Sequence, residues 1–358
     1  EKYILADKQR SARIALRRKG YFPERPSLAK RQESRANGGM SLKKTSIGGQ
    51  AVMEGIMMKN HEQYAVAVRK PDHQIQVKKG KYENLGSRYT FCRIPIIRGI
   101  ITFGESLYVG MKTLAWSSSF YEEEETGEPG KMEKMLTRVF GDKLESVLMG
   151  LTMVLSVVLA VGIFMLLPFF LSGLLKGWIP SYAVRTLIEG VIRVGIFLLY
   201  VALISRMEDI RRVLMYHGAE HKTINCLEHG EDLTPENIQK YSRLHKRCGT
   251  SFMLIVMIVS IIVFLFIRVD QIALKLLFRI LLVPLIAGIS YEFIRLAGKS
   301  DSPVVNFLSK PGMCLQYLTT REPDEEMLEV AIASVEGVFD WREYLAAMRR
   351  GELEDEQE

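Results

Sequence analysis

Residues 148–175, LMGLTMVLSVVLAVGIFMLLPFFLSGLL, contain no charged side chain. As a helix rising ~1.5 Å per residue, this stretch exceeds the ~30 Å of a bilayer's hydrocarbon core. It is apolar on every side, whereas a surface helix of a soluble protein carries one apolar stripe. Working outward, Thr186 to Ser205 form a second apolar run that holds Glu189 and Arg193, an i, i+4 pair able to neutralise itself. Ser251 to Ile267 form a third run. Leu276 to Ala297, interrupted by Pro284, form a fourth. Trp178 and Tyr182 fall between the first two, where an aromatic belt belongs. The reading is a mostly α membrane protein with about four transmembrane helices, a small N-terminal β-containing cytoplasmic region and a cytoplasmic helical hairpin.

Orientation follows from basic residues. Loop 174–185 carries two, Lys176 and Arg185, whereas segment 206–250 carries eight. The positive-inside rule places 206–250 and both termini in the cytoplasm. All four cysteines, Cys92, Cys226, Cys248 and Cys314, then face a reducing compartment, and none forms a CxxC pair, so no disulfide framework is expected. The net charge of +7 is local, because residues 1–39 hold 11 Lys and Arg against 4 Asp and Glu. That leader has no apolar core and is read as a disordered basic extension.

Residues 40–92 read as a small β-rich cytoplasmic region. Tyr64–Arg69 and Ile75–Lys78 alternate as strands around Pro71-Asp72, while Gly48-Gly49 suggest a tight turn and Glu54 a buried or site-facing acid. Residues 93–145 read as an interfacial helix, with Ile94–Trp116 lying on or re-entering the membrane or else spanning it a fifth time, followed by an acidic linker at 121–130. Residues 146–298 hold the membrane domain with the hairpin 206–250. Residues 299–358 are expected to form a cytoplasmic loop (Lys299–Thr320), a helix (Glu322–Val338) and an acidic tail. The bilayer is the expected partner. Other membrane proteins are open as partners, and no nucleic acid is expected.

Chemistry concentrates at His217-Gly-Ala-Glu220-His221. Histidines at i, i+4 share a helix face and can meet one ion, with Glu220 at i+3 as a general base. Thr234-Pro235-Glu236 reads as the cap of a second helix, which would carry His245 and Cys248 at i, i+3. The site set is therefore His217, His221, His245 and Cys248 as metal ligands and Glu220 as the catalytic carboxylate, with a divalent ion such as zinc as cofactor. On straight helices His217 would lie ~18 Å and His245 ~9 Å from the span ends, so convergence calls for a bend near Gly218. Of the membrane carboxylates, Glu292 near the inner end of the fourth span is the one most readily brought to the site. The alternative for it is an ion pair with Arg295. The bland alternatives are a chance H-x-x-E-H, a positive-inside anchor formed by Arg243, Lys246 and Arg247, and a closed structural zinc site.

Six blocks in order, GGQAVMEGIMM (48–58), RIPIIRGI (93–100), YHGAEHKTIN (216–225), RLHKRCGTSF (243–252), YEFIR (291–295) and LQYLTTREPDEEM (315–327), resemble the YqhQ-like family of bacterial membrane proteins, domain of unknown function 1385. The resemblance covers about residues 43–340. It implies a bacterial inner-membrane location and a metal site at His217, Glu220, His221 and His245, since members are described as predicted metal-dependent enzymes. Two functions stay open: a membrane-bound metal-dependent hydrolase, or a membrane scaffold or assembly factor in which any metal only staples the hairpin.

Overall fold

The computed structural model describes residues 45–82, 89–121, 144–269, 271–299 and 302–350. The expected extension at 1–39, the linker from 122 to 130 and the tail beyond 350 lie outside the described residues. The fold is mostly helical, with one small antiparallel sheet near its N-terminal end.

The sheet has strands β1 (Gly48–Val52), β2 (Gly55–Asn60), β3 (Gln63–Arg69) and β4 (Ile75–Lys81), neighbours in that order. The hairpin around Pro71-Asp72 forms as expected and closes through Lys70 N–H to the Gln74 carbonyl at 2.9 Å. Gly48 and Gly49 are not a turn. They start β1, opposite Lys59 and Met58, and the turn falls instead at Met53 and Glu54, the latter with φ 48°. Both faces of the sheet are covered, so β2 and β3 are almost continuously buried rather than alternating. On one face Ile56, Met58 and Ala67 pack with Tyr216, Ala219 and Ile224 and with Met327, Leu328 and Ala331. On the other, Met57, Val66 and Val68 meet Val109 of α1 (Ile97–Ser118).

Among the described residues, four helical stretches are long and apolar enough to cross a membrane: Gly150–Gly177, Tyr182–Ile204, Gly249–Phe266 and Ala273–Gly298. The first is built from α2 (Leu144–Val161), a π-turn over Gly162–Leu166, α3 (Leu167–Leu174) and a 3₁₀ turn. The others are α4 (Tyr182–Ile204), α7 (Gly249–Phe266) and the pair α8 (Ile272–Leu281) and α9 (Val283–Lys299), which part beside Pro284. Helix α1, which carries Arg98, Glu105 and Lys112, is not among them. Its first turn presses on α9, where a Cβ on Gly99 would lie 2.8 Å from the Gly288 carbonyl oxygen.

The spans are joined by a buried charge cluster. Pro168 has no N–H to return to the carbonyl of Phe164 four residues earlier, and that carbonyl accepts from Arg193 Nε at 3.1 Å. Arg193 also donates to Ser260 Oγ at 3.0 Å and to Glu189 at 2.7 Å. The expected Glu189–Arg193 pair gains a third member, because Arg279 of α8 grips both oxygens of Glu189. One carboxylate thus ties α4 to α8, and Arg193 ties it to α7 and to the π-turn before α3.

After the last span, Lys299–Thr320 is not a loop. Pro303–Thr319 form helix α10, with Pro303 at its first position, where a missing N–H is harmless, and Pro311 tolerated within it. Helix α11 (Glu325–Val338) follows, capped by Asp324, which accepts from Met327 N–H at 2.9 Å, and then α12 (Trp341–Arg350).

Removing one partner of a buried ion cluster strands the others. Glu189→Ala should cost about 3–5 kcal/mol of stability, read as a large fall in unfolding temperature of the purified protein. Val191→Ala, at a site 72% exposed on the same helix, should leave that temperature nearly unchanged.

Candidate functional site

Helix α4 ends at Ile204, and the chain resets through an extended Met207 before α5 (Glu208–Glu228) begins. Helix α5 is therefore not a continuation of the span, and depth counted along one straight helix does not apply to His217. No break at Gly218 is needed, because α5 runs unbroken through it. Gly218 serves close packing instead: a Cβ there would lie 1.9 Å from the Arg321 carbonyl oxygen.

The second helix of the expected hairpin is cut short. Thr234 caps α6 (Pro235–Ile238) as its sequence suggests, accepting from Asn237 N–H at 3.3 Å, but the helix ends after one turn. Residues 239–248 form an irregular strap across α5. The cause lies in α5, whose side chains take the carbonyls that a longer helix would need. Lys222 Nζ donates to Gln239 O at 2.9 Å, Asn225 Nδ2 to Ser242 O at 2.7 Å and to Leu244 O at 3.0 Å, and His221 Nδ1 to Arg243 O at 2.6 Å. The side-chain amide of Gln316 from α10 pairs with both backbone groups of His245, at 2.8 and 2.7 Å. Cys248 ends the strap and caps α7.

This route brings three of the expected ligands together. Donor atoms of His217, His221 and Cys248 lie within 4.8 Å of one another. His217 Nε2 is 3.2 Å from Cys248 Sγ, and the rings of His217 and His221 are 4.4 Å apart. A carbonyl oxygen can only accept, so the contacts from His217 Nδ1 to Thr319 O at 2.7 Å and from His221 Nδ1 to Arg243 O fix both Nδ1 atoms as donors. Each histidine therefore presents Nε2 to the site, an orientation typical of metal-binding imidazoles. His245 lies one layer out. Its ring centre is 5.7 Å from that of His221, and its Nε2 is 3.7 Å from Glu228, whose other oxygen accepts from Arg247 and from Thr45 N–H.

Glu220 is buried beside these rings. The Gly49 backbone N–H reaches its carboxylate, and a Cβ on Gly49 would lie 2.9 Å from Glu220 Cδ, so only glycine lets β1 pass this close. Its second oxygen, Oε2, is buried and has no hydrogen-bond partner among the described residues. A cavity of about 260 Å³ is lined by Gly48, Gly49, His217, Glu220, His221 and Cys248 among others.

Burial shapes the electrostatics first. It raises the Glu220 carboxyl above the usual range, and the two imidazoles only partly offset this. Burial alone would keep the His217 ring neutral, but the facing Cys248 sulfur and the Glu220 carboxylate outweigh it and lift the ring to about 9. Burial opposes the thiolate of Cys248 as well, yet His217 and His221 hold the thiol well below its ordinary value. Each group of the pair thus favours the charged form of the other. His245 is held below its ordinary value by burial, which outweighs Glu228.

Two other acids lie away from this centre. Glu292 pairs with Arg98 and accepts from Ile96 N–H at 3.4 Å, capping α1 in place of an N-cap side chain, so its closest partner is Arg98, with Arg295 a lesser charge beside it. Glu54 pairs with Arg212 and the Tyr216 hydroxyl. Sequence reasoning missed Thr319, Gln316 and the Arg243 carbonyl. No local sequence signal marked Gln316, because its partners on His245 and Ser251 lie more than sixty residues away.

These site blocks fall in or beside a stretch with relatives. The family described as "Protein of unknown function (DUF1385)" matches residues 94–341. The chain belongs to the DUF1385 family. The uncharacterized protein YqhQ of Bacillus subtilis (strain 168) is 37% identical over 294 residues, 81% of this chain and 91% of that protein. No solved structure matches. The DUF1385 match takes in α5, the strap, all four spans and α10, while β1 with its Gly48-Gly49 lies ahead of it.

The close approaches give a paired test. Gly218→Ala must push α5 off the Arg321 backbone and should destabilise by about 1–3 kcal/mol or more, as overpacking does. Gly48→Ala meets nothing within 4 Å and should be nearly silent. Thermal unfolding of both variants checks the contrast.

Proposed function

We propose that this DUF1385 protein is a metal-dependent hydrolase whose centre sits on the cytoplasmic face of the membrane. What supports the metal is the matched setting of two histidines: each gives Nδ1–H to a main-chain carbonyl, His217 Nε2 lies 3.2 Å from the Cys248 sulfur, and the donor atoms of all three lie within 4.8 Å of one another, beside a buried carboxylate oxygen with no hydrogen-bond partner among the described residues. His217 and His221 would hold the ion through Nε2, and Cys248 through its sulfur. Imidazole and thiolate donors suit zinc, and three protein ligands leave a position for reactants. A zinc-type ion would supply Lewis acidity, lowering the pKa of water toward neutrality. Glu220 would take and return the proton at Oε2, held in place by Gly49 N–H. His245 would steady the strap rather than ligate, since its backbone is clamped by Gln316 and its ring faces Glu228.

Metal analysis of the purified, zinc-equilibrated protein tests this. One ion per chain is expected. His217→Ala and His221→Ala should each lower affinity at least 10-fold, whereas Glu220→Gln should keep the ion, because it preserves shape and removes only the base. A protein with no stoichiometric ion refutes the metal. Loss in His245→Ala as deep as in His217→Ala would point to a closed four-ligand site and to the scaffold reading.

The orientation rests on the eight-to-two basic asymmetry. A membrane-impermeant maleimide should label Trp178→Cys in intact cells and label Glu231→Cys only after lysis. Labelling of Glu231→Cys from outside would reverse the topology.

A further inference from the structure

Helix α10 has two faces that differ in what they touch. Its inner face joins the spans and the site. Gly312 meets Ser251, where a Cβ would lie 2.8 Å from the serine Cβ, and Gln316 Nε2 donates to Ser251 Oγ at 2.9 Å. Leu315 is buried with Phe197 and Val201 of α4 and Leu254 of α7. Counted at 1.5 Å per residue from Ile204 and Gly249, those contacts lie roughly 5–10 Å inside the span ends. The outer face is exposed and apolar: Val304, Phe307, Leu308 and Tyr317, with Pro311 and Cys314 between them. Lys310, also exposed, has its Nζ 6.0 Å from the centre of the Phe307 ring, as a lysine reaching past an apolar face toward water would.

We infer that α10 lies in the plane of the membrane and seats this outer face on lipid. The occupant is the boundary between headgroups and acyl chains. An exposed Phe307 and Leu308 on a helix whose inner side already packs against two spans continue the lipid-facing surface of those spans. A depth of 5–10 Å is where amphipathic in-plane helices rest. The seat bears on the centre, because α10 ends at Thr319, whose carbonyl orients His217, and carries Gln316, which clamps His245. Lipid contact along α10 thus holds one wall of the site. The inference rests on packing and exposure alone and does not require a bound metal.

Cys314 supplies a native probe. It is exposed on the outer face, whereas Cys92, Cys226 and Cys248 are buried. The full chain is labelled with an environment-sensitive fluorophore and placed in nanodiscs. Cys314→Ser, which should lose the signal, verifies the site of labelling. Lipids carrying a nitroxide at a shallow acyl position should quench the fluorophore at least twofold more than aqueous iodide does. Stronger quenching by iodide would overturn the inference. So would a Cys314–Cys314 disulfide between chains under mild oxidation, because a second copy would then cover this face. A second variant, Phe307→Asp, reads the same seat without a label on the helix. With a fluorophore moved to Glu231→Cys in a Cys314→Ser background as a folding control, the variant should fold yet release α10 to protease. Protection equal to the parent would count against lipid seating.

Discussion

Two main-chain carbonyls, those of Thr319 and Arg243, decide which nitrogen each central histidine presents, and the architecture around the site exists to hold them there. Thr319 is the last residue of α10, so its carbonyl is among those a helix end leaves without an internal partner. Arg243 lies in a strap that has no helix of its own. Buried carbonyls of this kind demand donors, and α5 supplies them from His217 and His221. The contact is reciprocal: the histidines satisfy the backbone, and the backbone fixes the tautomer. Imidazoles hydrogen-bonded only to water would turn, and the three donor atoms would not stay grouped.

The membrane part contributes placement. Cys248 is the cap of α7, so its sulfur is set by where that span begins. Helix α7 is in turn tied to α4 and to the π-turn through Arg193, which donates to Ser260 and to the Phe164 carbonyl left free by Pro168. A charged guanidinium within lipid is costly unless its donors are used and its charge is met. Here Glu189 meets two arginines, and the named contacts link the four spanning segments. The thiol therefore sits at the end of a braced helix rather than on a free loop, the kind of support a precise centre requires.

Much of this was legible because it rests on periodicity and on lipid's intolerance of charge. The four long apolar runs, the β3–β4 hairpin and the His217–His221 pair follow from run length and from patterns of 3.6 and 2 residues. The failures share a cause. The strap at 239–248 and helix α10 are decided by contacts distant in sequence: Asn225 and Lys222 claim the strap's carbonyls, while Leu315 and Gly312 find partners in α4 and α7. Pro303 and Pro311 suggested a loop, yet Pro303 starts the helix. Gly48 and Gly49 suggested a turn, whereas Gly49 is required by the approach of β1 to Glu220. The pairing of Glu292 with Arg98 joins residues nearly two hundred apart, beyond any local pattern.

The position of Glu220 explains why the centre lies between the sheet and the spans. On α5 the two histidines, four residues apart, face the strap and the start of α7, and Glu220, one residue before His221, is rotated ~100° toward β1. A single helix thus sends nitrogen donors to the membrane side and a carboxylate to the sheet side. The cavity forms where those directions meet, with Gly48 and Gly49 as one wall and Cys248 as the other. A bulkier residue at 49 would drive β1 away from the carboxylate and open the cavity to water, lowering the burial that raises the Glu220 carboxyl. The sheet's first strand is therefore part of the dielectric surroundings of Glu220, and the start of α7 sets where the Cys248 sulfur sits. Helix α5 packs on the sheet and on α11, and the start of α7 reaches it through Cys248 at the end of the strap.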